Sequence, residues 1–286
     1  MAESILGIIG GSGLYDLPEL EVLERVDVST PYGLPSGRLT IGRLGATMIV
    51  FLPRHGEGHR LMPTELPYRA NIYALKQLGV THLVTVSAVG SLQESLPPLS
   101  IVLPDQIIDR TVSRPRTFFG EGIVAHVGIA DPFCPCLSDA VAGVAAEAGI
   151  PIVRGGTYIC IEGPQFSTRA ESNLYRSWGA SVIGMTAMPE ARLAREAELC
   201  YTTIAMVTDY DVWHESEEAV TVEMVIANLQ RNTEKARELI RRLAQAGLPE
   251  RACACSSALK DAIVTAPEAV TPEIRRRLGV IGAKYL

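Results

Sequence analysis

Much is missing from this 286-residue sequence, and each absence narrows what the chain can be. No apolar run reaches the roughly 18 residues of a membrane span, so no membrane partner is expected. Positive charge is not in excess. The 26 Lys and Arg face 32 Asp and Glu, and a net charge of −6 argues against holding DNA or RNA by bulk electrostatics. The opening MAESILGIIGG lacks the basic and long apolar regions of a secretory signal, so a cytoplasmic protein is expected. The six cysteines never show the C-x-x-C spacing of a zinc site, and neither a metal nor a cofactor is expected. Internal repeats and low-complexity segments are absent too.

What is present is apolar: 47% hydrophobic residues and a mean hydropathy of +0.18, with only 6% aromatics. A parallel sheet covered on both faces would account for this, as would a buried subunit interface. Short β-type runs alternate with helical patterns, with glycine at the joints. ILGIIGGSG reads as strand and turn, and GRLTIGRLGATMIVFLPRHG as a hairpin about Gly45. PTELPYRANIYALKQLG reads as a helix closed by Gly79. THLVTVSAVGS, SIVLPDQIID, IPIVRGGTYICIEG, SVIGMT and CYTTIAMVTDYDVW read as strands. LSDAVAGVAAEAG, STRAESNLYRSWG, PEARLAREAEL and the long TVEMVIANLQRNTEKARELIRRLAQAG read as helices. The pattern predicts a single α/β domain over residues 1–247. Its central sheet would be mixed, largely parallel and twisted, with flanking helices. Residues 248–286 read as a tail with short helices, packed on the body or on a neighbouring subunit. There, the CAC of residues 253–255 could close a small strained disulfide or staple the tail to the body. Free thiols are expected in a reducing compartment, and disulfides in a hyperthermophile.

In such sheets ligands sit beyond the carboxyl ends of the strands, so the residues there are the candidates. The GGSG of residues 10–13 is neither a dinucleotide fingerprint nor a P-loop. It reads either as a tight turn or as a small anion nest with the Ser12 hydroxyl. PRHGEGH places Arg54 and His55 just after an apolar strand, as a surface loop or as an oxyanion fork. With two glycines it is not H-E-x-x-H on a helix, which disfavours a metal at His55 and His59. Ser87, Ala88 and Gly90 end one strand, and Met185 and Thr186 another. Together these ends could form an oxyanion pocket. Phe166 reads either as core packing or as a stacking face for a flat ring. Asp209 and Asp211 close a greasy strand, either capping a turn or holding something polar.

Taken together, GIIGGSGLYD, PRHGEGH, SAVGSL, IEGPQFSTRAES, WGASVIGMTAMPEARLAREAELCY and VTDYDVW resemble the trimeric class of purine nucleoside phosphorylases. The resemblance runs over roughly residues 5–245, and is closer still to the members that cleave 5′-methylthio nucleosides. It implies a pentosyltransferase of methionine and purine salvage, in which inorganic phosphate is a co-substrate and attacks C1′ to release free base. On that resemblance phosphate would sit on Ser12, Arg54, His55, Ser87, Ala88 and Thr186, and Met185 would lie under the ribose. Phe166, Ser167, Asp209 and Asp211 would hold the base, with Asp209, Arg54 and His55 in the catalytic role. His126 would reach a neighbouring subunit's site, and Val222, Val225 and Ile226 would make a slot for a 5′-methylthio group. The implied partner is a second copy of the chain, in a trimer or a dimer of trimers. Relatives specific for 6-oxopurines carry Asn at the position of Asp209, so 6-aminopurine nucleosides are expected. Methylthioinosine, inosine or guanosine phosphorolysis is the alternative. A non-catalytic nucleoside-binding regulator and a hydrolase are the more distant ones.

Overall fold

The structure is a computed structural model describing residues 4–11, 14, 17–214 and 222–286, without the side chains of 222–225 and 229. Its frame is an eleven-stranded mixed sheet. Strand β1 (Ile5–Gly10) lies parallel between β4 (Thr47–Pro53) and β5 (Val80–Ser91). Strand β3 (Leu39–Leu44) pairs antiparallel with β4 across Gly45, whose φ of +60° suits glycine. Beyond it, β2 (Glu21–Val26) forms the edge. On the other side β11 (Cys200–Asp209) runs parallel to β5 with all ten residues buried. A strand covered on both faces needs its continuous apolar run, and the threonines within it are bonded. Thr202, for example, meets Ser138 Oγ at 2.7 Å.

Two expected strands are each split. Pro104 ends β6 (Ile101–Leu103) before β7 (Gln106–Arg110), and Gly155–Gly156, both at positive φ, separate β8 (Val153–Arg154) from β9 (Thr157–Ile161). Each kink lets the chain change partner. Strand β6 pairs with β8 and β11, whereas β7 pairs with β9, which joins β10 (Ala180–Gly184). Strand β10 meets the far end of β5 antiparallel at Gly90 and Ser91. The sheet is therefore mixed and largely parallel, as expected.

Helices cover both faces. On one, α1 (Tyr68–Gln77) and α4 (Ala187–Glu196) bury Ile72, Leu75 and Leu193 against the sheet. On the other, α2 (Pro135–Glu147) and α5 (Val222–Ala246) contribute Leu137, Val141, Leu239 and Leu243. A shorter α3 (Arg169–Ser177) begins at Thr168, whose side chain accepts from Glu171 N–H in a reciprocal cap. From Leu259 on, the tail packs on the first face: Leu259, Val270 and, from α6 (Pro272–Leu278), Ile274 and Leu278 are buried in the same core as α1, whereas Cys255 belongs to the core of α2 and α5. No described helix is long and apolar enough to cross a membrane.

Candidate active site

One cavity of about 570 Å³ opens where β1, β4, β5, β10 and β11 deliver their ends. That is a size suited to a small organic ligand. Among its lining residues are Arg54, His55, Ser87, Ala88, Phe166, Ser167, Met185, Thr186, Asp209 and Asp211, so the sheet gathers ten of the expected positions. Ser12 lies outside the described residues, although its neighbour Gly11 lines the cavity.

At one end is a fixed cation. Arg54 is only 2% exposed, yet it is paired: Nε donates to Glu190 Oε1 at 2.7 Å and Nη2 to Oε2 at 3.2 Å. Nη1 donates to the Val86 carbonyl at 2.8 Å. Burial works against the charge, but the Glu190 carboxylate outweighs it and holds the guanidinium pKa above its ordinary value. Among the described residues three of the five N–H donors are engaged, which leaves Nη1 and Nη2 one each for an anion. Beside it, His55 Nδ1 lies 2.8 Å from the Leu61 carbonyl. A carbonyl only accepts, so Nδ1 carries the hydrogen and Nε2 is the acceptor of the neutral ring. Burial, helped by the Arg54 charge, pushes the His55 pKa down to about 4. The ring stacks on His59 at 4.1 Å and is neutral at pH 7. Ser87 Oγ joins Thr186 Oγ1 at 3.2 Å and Tyr158 Oη at 3.3 Å, a cluster of hydroxyls able to turn toward an oxyanion.

At the other end stand the two acids. Asp211 N–H donates to Asp209 Oδ1 at 2.8 Å and Thr208 Oγ1 to Oδ2 at 2.7 Å, which fixes the Asp209 carboxylate. Asp211, at a φ of +55°, is buried beside it. Desolvation chiefly, and the Asp209 charge in addition, raise the Asp211 pKa to about 6. Gly90 makes room for this pair, since a Cβ there would lie 3.0 Å from Asp209 Oδ1 and 3.2 Å from Asp211 Cβ. Between the ends, Ser167 is 8% exposed and its hydroxyl has no partner among the described residues. Phe166 is 47% exposed at the wall. A flat apolar face, an unspent hydroxyl and two acceptors suit a heteroaromatic base carrying amino groups.

Several supports were not expected from sequence. Glu190 fixes Arg54 from 136 positions away. Arg114, 4% exposed, donates to the carbonyls of Met185 and Met188 at 2.6 Å each and to Glu162 O at 2.6 Å. It thereby pins the wall that carries Met185. Asn228 and Asn232 of α5 donate to Thr208 O at 2.6 Å and Val207 O at 3.0 Å, docking that helix on the strand of Asp209. Their only sequence signal is two amides one turn apart on the long helix. The four positions expected on the 5′ side are not brought into this cavity's described walls. His126 is exposed and its N–H donates to Ala262 O at 2.9 Å, away from the cavity. Ile226 is 49% exposed and does not line it. The side chains of Val222 and Val225 lie outside the described residues.

The family model described as "Phosphorylase superfamily" matches residues 5–245. The chain belongs to the phosphorylase superfamily. It is 54% identical to an S-methyl-5′-thioadenosine phosphorylase of Geobacter sulfurreducens, over 99% of this chain and all of that one. A relative of the same name from Thermosynechococcus vestitus is 53% identical over 98% of this chain and 99% of its own length. Among solved structures, a methylthioadenosine phosphorylase from an antarctic soil metagenomic library superposes with a TM-score of 0.90. It is 48% identical, over 98% of this chain and 99% of that one. A Schistosoma mansoni methylthioadenosine phosphorylase in complex with adenine gives a TM-score of 0.82. It is 38% identical, with coverage of 85% and 92%. The resemblance read from the strand-end motifs therefore holds over the range expected.

Proposed function

We propose that this chain catalyses the phosphorolysis of S-methyl-5′-thioadenosine, giving adenine and 5-methylthioribose 1-phosphate. The observation that carries the reading is a single cavity with a fixed guanidinium and hydroxyls at one end and two buried carboxylates at the other. Its relatives' names and the adenine complex of a structural neighbour point the same way.

The chemistry follows from charge. As the bond from C1′ to N9 lengthens, positive charge grows on the ribose and negative charge on the purine. A phosphate oriented by Arg54, Ser87, Thr186 and the Ala88 backbone stabilises the first and forms the new bond to C1′. Neutral His55 accepts a hydrogen bond from a protonated phosphate oxygen through Nε2. The leaving base is stacked against Phe166. Its 6-amino group donates to the carboxylates of Asp209 and Asp211, and a proton delivered to N7 from this acid pair offsets the charge on the base. Two acids rather than an acid and an amide favour a 6-amino over a 6-oxo group. Met185 supports the ribose.

The working unit is a homo-oligomer, a trimer or a dimer of trimers, with His126 serving a neighbour's site. In the isolated chain His126 is exposed on a short ladder whose Val124 and Val264 are 47% and 59% exposed, as an interface residue would be. Val222, Val225 and Ile226 remain the proposed 5′-methylthio contacts. The test is a substrate panel. Methylthioadenosine is expected to exceed methylthioinosine in kcat/KM by about ten- to a hundredfold, the worth of a charge-assisted hydrogen bond. Equal or reversed preference would return the assignment to the 6-oxopurine enzymes.

A further inference from the structure

Four of the six cysteines converge at a point the proposed reaction does not use. Cys134, Cys200, Cys253 and Cys255 place their Sγ atoms all within 4.8 Å of one another. Cys253 Sγ lies 3.6 Å from that of Cys134 and 3.5 Å from that of Cys200. These are not covalent distances: all six cysteines are free, and a disulfide would need about 2.05 Å. They are close to the edge of a thiolate tetrahedron, because sulfurs about 2.3 Å from a central zinc stand about 3.8 Å apart. Cys134, Cys200 and Cys255 are 1–2% exposed, so the site is closed on the protein side.

The set is assembled from three separate segments. Cys134 stands at the N-cap of α2, with Pro135 as the first helical residue. Its N–H donates to Tyr201 O at 2.7 Å, which fixes it beside Cys200 at the start of β11. Cys253 is extended and Cys255 sits in the following 3-10 turn, so both tail thiols turn toward the body. Arg195 Nη1 donates to Cys255 Sγ at 3.5 Å, an outer donor that offsets negative charge on the sulfurs. No two of these ligands have C-x-x-C spacing, so the set carries no zinc signature in the sequence.

We propose that Cys134, Cys200, Cys253 and Cys255 bind a thiophilic divalent cation, zinc foremost, as a tetrathiolate that fastens the C-terminal tail to the sheet. Binding replaces the thiol protons by four metal–sulfur bonds, with no oxidation. Cys200 and Asp209 are at opposite ends of β11, about 30 Å apart along an extended strand, so the metal is structural rather than catalytic. Cys134, Cys200 and Cys255 lie in the core shared with α2 and α5, whereas Leu259, Ile274 and Leu278 are buried in the core of α1, so the metal fastens the start of the tail.

The experiment is metal analysis of the full chain, isolated anaerobically from zinc-supplemented cells without chelator. About one zinc per chain is expected. Cys253→Ser and Cys255→Ser, each made alone, should fall below about a fifth of that, while Cys136→Ser, outside the set, should keep it. Cobalt in place of zinc should give the sulfur-to-metal charge-transfer bands and visible absorption of a tetrahedral site. Chelation should lower Tm in the wild type more than in Cys253→Ser. One equivalent of iron lost by the same substitutions would support the same site. The proposal is overturned by metal-free wild type that takes up no cobalt, by metal retained in the Cys253→Ser and Cys255→Ser variants, or by two disulfides among the four in the anaerobic sample.

Discussion

Replacing Asp209 by asparagine removes one charge and leaves almost everything else in place. In the wild type, Asp209 Oδ1 accepts from Asp211 N–H at 2.8 Å and Oδ2 from Thr208 Oγ1 at 2.7 Å. The Thr208 hydroxyl also lies 3.2 Å from the Val89 carbonyl. With Asp209→Asn, the amide oxygen can keep the Asp211 N–H while the NH₂ turns to Thr208. That hydroxyl then donates to Val89 and accepts from the amide, so neither contact is lost. Little change in Tm is expected. What changes is the face shown to the base. A carboxylate that accepts from a 6-amino group becomes an amide that can donate to a 6-oxo group. The charge-assisted bond is worth about 1.5–3 kcal/mol, so kcat/KM on methylthioadenosine should fall about ten- to a hundredfold. Methylthioinosine should gain at the same time. Initial rates on both nucleosides, in wild type and variant at saturating phosphate, give the ratio. If that ratio is unchanged while circular dichroism shows an intact fold, Asp209 does not read the base.

Three further outcomes are expected. Asp211, with its pKa raised to about 6, takes up a proton as pH falls through that value and becomes a weaker acceptor. Adenine affinity should therefore fall below about pH 6 in the wild type and stay flat in Asp211→Asn. Titration calorimetry checks this, and an identical acid limb in the variant would assign it elsewhere; His55, at about 4, is not a candidate. Glu190→Gln leaves the Arg54 charge buried without its counter-ion, a loss of about 3–5 kcal/mol in phosphate-free buffer. Phosphate should raise the Tm of that variant more than that of the wild type, because the anion replaces the missing charge; equal shifts would refute the arrangement. His126→Ala should raise KM for methylthioadenosine about fivefold, the worth of about one hydrogen bond, with KM for phosphate unchanged. An unaltered nucleoside KM would remove His126 from a neighbour's site.

The strand ends were legible because each announces itself locally. Arg54 follows an uninterrupted apolar run, Ser87 and Thr186 place hydroxyls where hydrophobic strands stop, and Asp209 and Asp211 stand at the mouth of a strand buried along its whole length. The framework behind them was not legible. Glu190 and Arg114 sit in sequences that read as ordinary charged surface, and only the fold brings them to Arg54 and to the Met185 carbonyl. Strand β2, EVLERV, was missed because a largely exposed edge strand has no buried face to impose an alternating pattern. The splits at Pro104 and at Gly155–Gly156 follow from changes of strand partner, which local hydrophobicity does not encode. The tail reads as short helices, but no regular spacing says which of its apolar residues face the core; in the fold Leu259, Ile274 and Leu278 are among the buried ones. The cysteine cluster is the extreme case, because its ligands are up to 121 positions apart in a sequence that runs from Cys134 to Cys255.

The most direct test of the account is adenine release from methylthioadenosine, followed with and without inorganic phosphate, with both products identified. The site described requires phosphate: release should be saturable in it, and each adenine should be matched by one 5-methylthioribose 1-phosphate. Adenine appearing at the same rate without phosphate, together with free methylthioribose, would show that water is the nucleophile and would contradict the role given to Arg54, Ser87 and Thr186.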